Sequence, residues 1–365
     1  MKLAASLLLL LAPALLVAEP RWEMQYFYDE AKSSLTLTDI AFPSPSRGLA
    51  SGWITEGNRV KPVVLVTSDA GVRWTRVPVS EAGQSLYCLD ETACWMVTEK
   101  GVWFSDETGR TWRRIRKTNG ISGVHFITRD HGWIFGHQKQ MLETTDAGKT
   151  WKQVPEATAV KTAVERTGFY AMSFINEKSG ILTGRSEPAA PRSRFPIWAD
   201  ADPELNRERP TLTLLVETRD AGKTWTATAA SMFGRFSRLS KPSQTGVALG
   251  LIEFERYFTY ASEVYQYTFS TGKLVRSFRQ KDVAITDVAV VPKGGGLIGG
   301  FEPPGRLART PVPGKVRLWL STDFTSWYEF PVDYRAVARR VRLAVVDDSH
   351  MWAATDTGMI LRLVR

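Results

Sequence analysis

Cysteine is nearly absent from this 365-residue chain: there are two, against 13 tryptophans and 17 phenylalanines. No CxxC spacing occurs, which excludes a thioredoxin-like redox pair, and two thiolates alone do not complete a zinc shell. Beyond the N-terminus there is no apolar run of the roughly 20 residues that a membrane helix needs. No long helical period appears, and no nucleic-acid-binding module is recognisable, so nucleic acid is not an expected partner. Histidine is scarce as well, with four copies.

The N-terminus is different in character. Lys2 precedes an apolar run from Leu3 to Val17, and the small Ala18 follows. This pattern predicts a signal peptide over residues 1–18, export, and a periplasmic or extracellular location; an uncleaved anchor is the alternative. No cysteine follows the run, so a lipoprotein anchor is not suggested. With Lys2 set aside, 46 basic side chains face 38 acidic ones, an excess that biases encounters toward anionic partners without naming one.

Cys88 and Cys94 bracket the polar stretch Leu89-Asp90-Glu91-Thr92-Ala93 between two apolar runs. That reads as a hairpin turn, and in an oxidising compartment the two sulfurs are expected to form a stapling disulfide.

Self-similarity carries most of the information. Thr67-Ser68-Asp69-Ala70-Gly71-Val72-Arg73-Trp74 recurs as Thr144 to Trp151, with Asp146 and Gly148, and as Thr218 to Trp225, with Asp220 and Gly222. Ser105 to Trp112 is a fourth copy with Glu107 at the acid position and Gly109 in place. Ser321 to Trp327, with Asp323, is a shortened fifth, and Thr355-Asp356-Thr357-Gly358 resembles half of a sixth. The unit reads as a turn: the carboxylate accepts amide N–H groups, glycine takes a positive φ, and the tryptophan covers the turn from the returning strand.

A strand, a turn and a second strand precede each copy, as in Leu37–Phe42 followed by Gly48–Trp53. Such units start near Leu37, Ser85, Gly123, Ala171, Phe236, Ile285 and Val341, which predicts seven. Trp74, Trp112 and Trp151 are spaced like four-stranded propeller blades of about 40 residues. The longer step to Trp225 is attributed to an insertion over about 185–210. The fifth unit carries Ser270-Thr271-Gly272-Lys273 in place of the octapeptide. The seventh reaches Arg365 with three strands only, and Arg21–Tyr26 resembles the missing one. The reading is all-β: a single seven-bladed propeller over 19–365, closed by its N-terminal strand.

The octapeptide resembles the Asp-box, or BNR, repeat of sialidases and related propellers. Its long form, Asp130 to Trp151, is similar to the photosystem II stability/assembly factor-like family of exported propellers. The resemblance implies the fold over nearly the whole chain, and a protein-binding or assembly role for an envelope or membrane complex. It implies no cofactor. Asp boxes occur in hydrolases and binding proteins alike, so function does not follow from them.

Two other readings are weighed. A sialidase-like glycoside hydrolase needs an arginine triad with acids, and the Arg-Ile-Pro opening of that domain is absent. A xyloglucanase-like enzyme would resemble two propellers in tandem. Carbohydrate binding by a lectin stays open as a third. No catalytic residue is assigned, and the expectation is a noncatalytic monomer.

His125, His131 and His137 fall in one unit without a completing acid cluster, so no metal site is expected; surface or interstrand positions are. Arg113-Arg114-Ile115-Arg116-Lys117 reads as an edge strand protected by charge. Arg339 and Arg340, at the entrance to the seventh unit, together with Arg185, Arg192, Arg194 and Trp198 of the insertion, are the candidate partner patch.

Overall fold

The computed structural model describes residues 20–189, 209–254, 260–304 and 312–364. Seven antiparallel sheets form seven blades. Blades 1 to 6 follow the chain: blade 1 is Ser33–Ala41, Gly48–Glu56, Arg59–Thr67 and Thr75–Pro78; blade 2 runs from Gly83–Cys88 to Arg113–Lys117; blade 3 from Ile121–Phe126 to Lys152–Gln153. Blade 4 runs from Thr167–Phe174 to Thr226–Met232, blade 5 from Arg235–Leu239 to Lys273–Phe278, and blade 6 from Ala284–Val290 to Tyr328–Glu329. Blade 7 combines Val341–Val345, Met351–Thr355 and Met359–Val364 with the N-terminal strand Arg21–Phe27, which pairs from Arg21↔Val364 to Phe27↔Met359.

Burial falls off along each blade's radius. The second strands Cys94–Thr98, Gly132–Gly136 and Met351–Thr355 are buried throughout, whereas the outermost Thr226–Met232 is almost wholly exposed. Arg113–Lys117 is the outermost strand of blade 2.

Buried clusters lie between neighbouring blades, and three of them repeat one aromatic arrangement. A phenylalanine near the end of an innermost strand stacks on a tryptophan of the preceding blade and meets the octapeptide tryptophan edge-on. The sets are Phe42 with Trp352 and Trp74, Phe126 with Trp95 and Trp151, and Phe174 with Trp133 and Trp225. Offset-stacked and edge-to-face pairs add to the apolar burial itself.

The octapeptides are the turns from third to fourth strand. Thr67 Oγ1 donates to Asp69 Oδ1 and accepts the Gly71 amide, each at 2.9 Å, and Asp69 Oδ1 accepts the Arg73 amide at 2.9 Å. Thr144 with Asp146, and Thr218 with Asp220, repeat it. Gly71 takes a positive φ, 87°, and so does the residue before it, Ala70, at 61°. That left-handed step aims the Ala70 amide at Ser46 O, 2.8 Å away in the blade's first turn; Thr108, Ala147 and Ala221 reach Thr92 O, Asp130 O and Lys178 O likewise. Each octapeptide thus ties the two turns on one face of its blade.

Thr355–Gly358 is not a sixth copy. It forms the turn between the second and third strands of blade 7, on the opposite face. The physical reason is the closure: the third and fourth strands of blade 7 come from the two ends of the chain, so no turn joins them.

Candidate functional site

The innermost strands surround a central channel. In blades 1 to 6 each has a β-bulge that skips one residue: Thr38, Gln84, Ser122, Tyr170, Ser237 and Thr286. A bulge re-aims a side chain and tightens local twist. Two of the six bind the next blade. Thr38 Oγ1 donates to Gly83 O at 2.6 Å, and Thr286 Oγ1 accepts the Val341 amide at 2.9 Å. The other four line the channel mouth, on the face opposite the octapeptide turns.

The mouth is a cavity of about 500 Å³. Its described lining holds five arginines, Arg185, Arg238, Arg339, Arg340 and Arg342, and one acid, Glu253. Arg342 is buried and ties three blades together, donating to Thr286 O at 2.6 Å and to Thr38 O at 3.3 Å. Burial, with Arg238 nearby, pulls its guanidinium down to about 9. Arg238 faces Asp287 at 3.8 Å. Arg185 lies 4.0 Å over the Tyr170 ring and donates to Glu187 at 2.8 Å.

Arg339 and Arg340 differ from these three. Both are exposed, and among the described residues no carboxylate pairs with either side chain; Asp356 engages their backbone, its carboxylate accepting both amides and its own amide donating to Arg340 O.

The two acids deeper in the channel, Asp39 and Asp287, are already engaged. Asp39 Oδ2 accepts the Leu86 amide and Asp287 Oδ2 the Leu343 amide, each at 2.8 Å, so each acid bridges to the next blade. Burial raises the Asp39 pKa against the pull of Arg238 and Arg342.

Of the sequence-derived patch, the structure brings Arg185, Arg339 and Arg340 to one mouth. Arg185 belongs to the second strand of blade 4, Gly180–Ser186, rather than to the connection after it. Arg192, Arg194 and Trp198 lie outside the described residues, within a segment that leaves blade 4 at Ser186 and rejoins it at Thr211 on the mouth face. Arg342 belongs to the same basic run as Arg339 and Arg340; Arg238 and Tyr170 were not anticipated, although a signal exists. Buried apolar residues three apart, as in Leu37…Ile40, Phe169…Met172 and Ile285…Val288, are the phase slip of a bulge.

Deeper in the channel, His125 is buried rather than a surface residue, between the rings of Tyr87 and Phe174 at 4.7 and 5.1 Å. Burial, then the charge of Lys241, pushes its pKa down to about 3. His131 pairs with Glu143 at 2.8 Å. His137 packs edge-on against Tyr170. Among the described residues no acid, histidine or cysteine cluster suited to a metal occurs. Cys88 and Cys94 are disulfide-bonded across the first turn of blade 2, with Cα atoms 4.1 Å apart.

A family model described as photosynthesis system II assembly factor YCF48 matches residues 114–188. No curated protein matches the sequence. Among solved structures, a YCF48 bound to D1 peptide is 13% identical, with 94% of this chain and 97% of that chain covered and a TM-score of 0.60. YCF48 from Cyanidioschyzon merolae is 14% identical, with coverage of 94% and 98% and a TM-score of 0.58. A GH74 xyloglucanase from Xanthomonas campestris reaches 15% and 0.59, but this chain spans only 53% of that one. At these identities the structures speak for the fold. With its repeated octapeptide, its ring closed by its N- and C-terminal strands and its matched segment, the chain is a seven-bladed β-propeller resembling the photosystem II assembly-factor family.

Proposed function

We propose that the chain is an exported, noncatalytic platform that holds an acidic protein segment at its channel mouth and so assists assembly or stability of an envelope or membrane complex. The observation that carries this reading is the exposed, unpaired pair Arg339 and Arg340 beside three further arginines. Guanidinium forks bind carboxylates with two parallel hydrogen bonds, and clustered charge in a concave site speeds the encounter with an anionic partner. The D1 peptide carried by the similar YCF48 supports a protein partner. The N-terminal apolar run and the disulfide support an oxidising compartment outside the cytoplasm.

Hydrolysis is disfavoured because Asp39 and Asp287 are spent on backbone amides, which leaves no free carboxylate pair among the described channel residues. A lectin reading loses support where Arg185 covers a face of Tyr170, an aromatic that would otherwise receive a sugar.

The test is a crosslinking pull-down from the native envelope with the mature protein, an R339E/R340E variant and a variant lacking residues 190–208. A short glycine linker replaces the segment, because Ser186 pairs with Leu212 and the Arg209 guanidinium reaches Ala189 O at 2.7 Å, which puts the two ends within one side-chain length. A specific protein captured by wild type and lost with R339E/R340E is expected. Capture unchanged by that double reversal would sink the mouth as the binding site.

A further inference from the structure

The outermost strand of a propeller blade is an open sheet edge, and an open edge left unprotected pairs with another chain. Six of the seven outer strands here carry a protection. Thr75–Pro78 has Arg76 and Pro78; Arg113–Lys117 is almost wholly basic and its pairing slips register; Lys273–Phe278 has Lys273 and Arg276 and slips likewise. Lys152–Gln153 and Tyr328–Glu329 are only two residues long. Arg21–Phe27 has Arg21, Glu23 and a register shift. Blade 4 is different. Its outer strand Thr226–Met232, Thr-Ala-Thr-Ala-Ala-Ser-Met, is seven residues long with no charge and no proline. It pairs in unbroken register from Thr226↔Glu217 to Met232↔Thr211, and Thr226 to Ser231 are all exposed. Among the described residues no hydrogen bond reaches its outer side.

We infer that Thr226–Met232 is a dimerisation edge: it pairs antiparallel with the same strand of a second copy of this chain, joining two four-stranded blades into one continuous sheet. The side chains decide the occupant. A charged segment of another protein finds no counter-charge on this strand, whereas the strand suits itself. A two-fold axis at Ala229 sets Thr228 opposite Ala230 and Ala227 opposite Ser231, so small side chains meet small ones and no like charges oppose. Met232 and the half-exposed Phe233 then lie near Thr226 of the other copy and add apolar contact at both ends of the ladder. One strand pair is a small interface, so the dimer dissociates at micromolar rather than nanomolar concentration. The strand runs from the octapeptide face to the mouth face, so antiparallel pairing turns one ring over relative to the other, and the two arginine mouths open in opposite directions. The dimer departs from the monomer expected of the sequence. Its edge is separate from the mouth and does not depend on the proposed platform.

The test is sedimentation velocity of the mature protein across a concentration series. Wild type is expected to move from one chain toward two as concentration rises. A229K sets two lysines face to face at the two-fold axis and is expected to weaken association at least tenfold, as is A229E. An equal mixture of the two is expected to regain the dimer, which misfolded variants would not do. Residues directly opposite in an antiparallel pair have Cα atoms about 4.5 or 5.5 Å apart, within the roughly 4.4–6.8 Å that a disulfide spans. A229C is therefore expected to crosslink two copies on oxidation, and T228C, whose copies are offset along the ladder, to do so far less. R339E/R340E is expected to dimerise like wild type. A wild type that stays monomeric at every concentration overturns the inference, as does wild-type association in A229K or no recovery in the mixture. Crosslinking of A229C no better than of T228C, or a dimer lost in R339E/R340E, would place the contact elsewhere and overturn it as well.

Discussion

Replacing Phe126 with alanine probes the repeated aromatic arrangement directly. Its ring is fully buried, stacked at 4.1 Å on Trp95 of the preceding blade and edge-on to Trp151 at 6.4 Å. Truncating such a phenylalanine costs about 3–5 kcal/mol, of which the aromatic pairs account for about 0.5–1.5 kcal/mol each. At about 2.1 cal/mol/K per residue, the 314 described residues unfold with an entropy near 0.7 kcal/mol/K. F126A is therefore expected to lower the melting temperature by about 4–7 °C. F126L keeps most of the volume and loses the ring pairs, so its drop should be about 1–3 °C. Differential scanning calorimetry of the three proteins checks both values. A shift below 1 °C for F126A would refute an inter-blade core at this position. Equal losses in the two variants would refute the assignment of most of the cost to lost volume.

Three further outcomes follow from the geometry. The Thr150 hydroxyl and amide, together with Thr144, hold the Asp146 carboxyl down at about 2, below its ordinary 3.8. A depressed carboxyl contributes stability above its ordinary value and loses it as pH falls through the folded one, so wild type and D146A should converge in melting temperature between about pH 4 and pH 2; a constant gap across that window would argue against it. Reducing Cys88–Cys94, which closes a short loop with a sequence separation of 6, should cost about 2 kcal/mol, or about 3 °C, in a melt with and without dithiothreitol. R339E/R340E should leave that melt within about 1 °C of wild type, because both side chains are exposed and unpaired among the described residues; a large drop would assign them to the fold rather than to binding.

The octapeptide was legible because its residues do local work: an acid, a hydroxyl and a glycine settle one turn within eight positions, whatever surrounds them. The seven units and their closure by Arg21–Phe27 followed from the same spacing. The channel mouth was harder to see. Arg238, Arg342 and Tyr170 stand on three different blades, and only the closed ring brings them together. Thr355–Gly358 misled because a short polar turn looks alike between any two strands, and only the pairing of Met351–Thr355 with Met359–Val364 identifies which turn it is.

The closing strand gives the ring an unusual dependence on its own ends. Arg21–Phe27 is in effect a tethered ligand for Met359–Val364, with Trp22, only 3% exposed, as its anchor. Every other blade is complete once its own stretch of chain is made, but this one joins the first ordered strand to the last. The effective concentration supplied by the tether, and not the intrinsic affinity of a seven-residue strand, keeps the seam shut. A chain released before residue 359 therefore carries a first strand with nothing to receive it, and circularity is the final property the fold acquires.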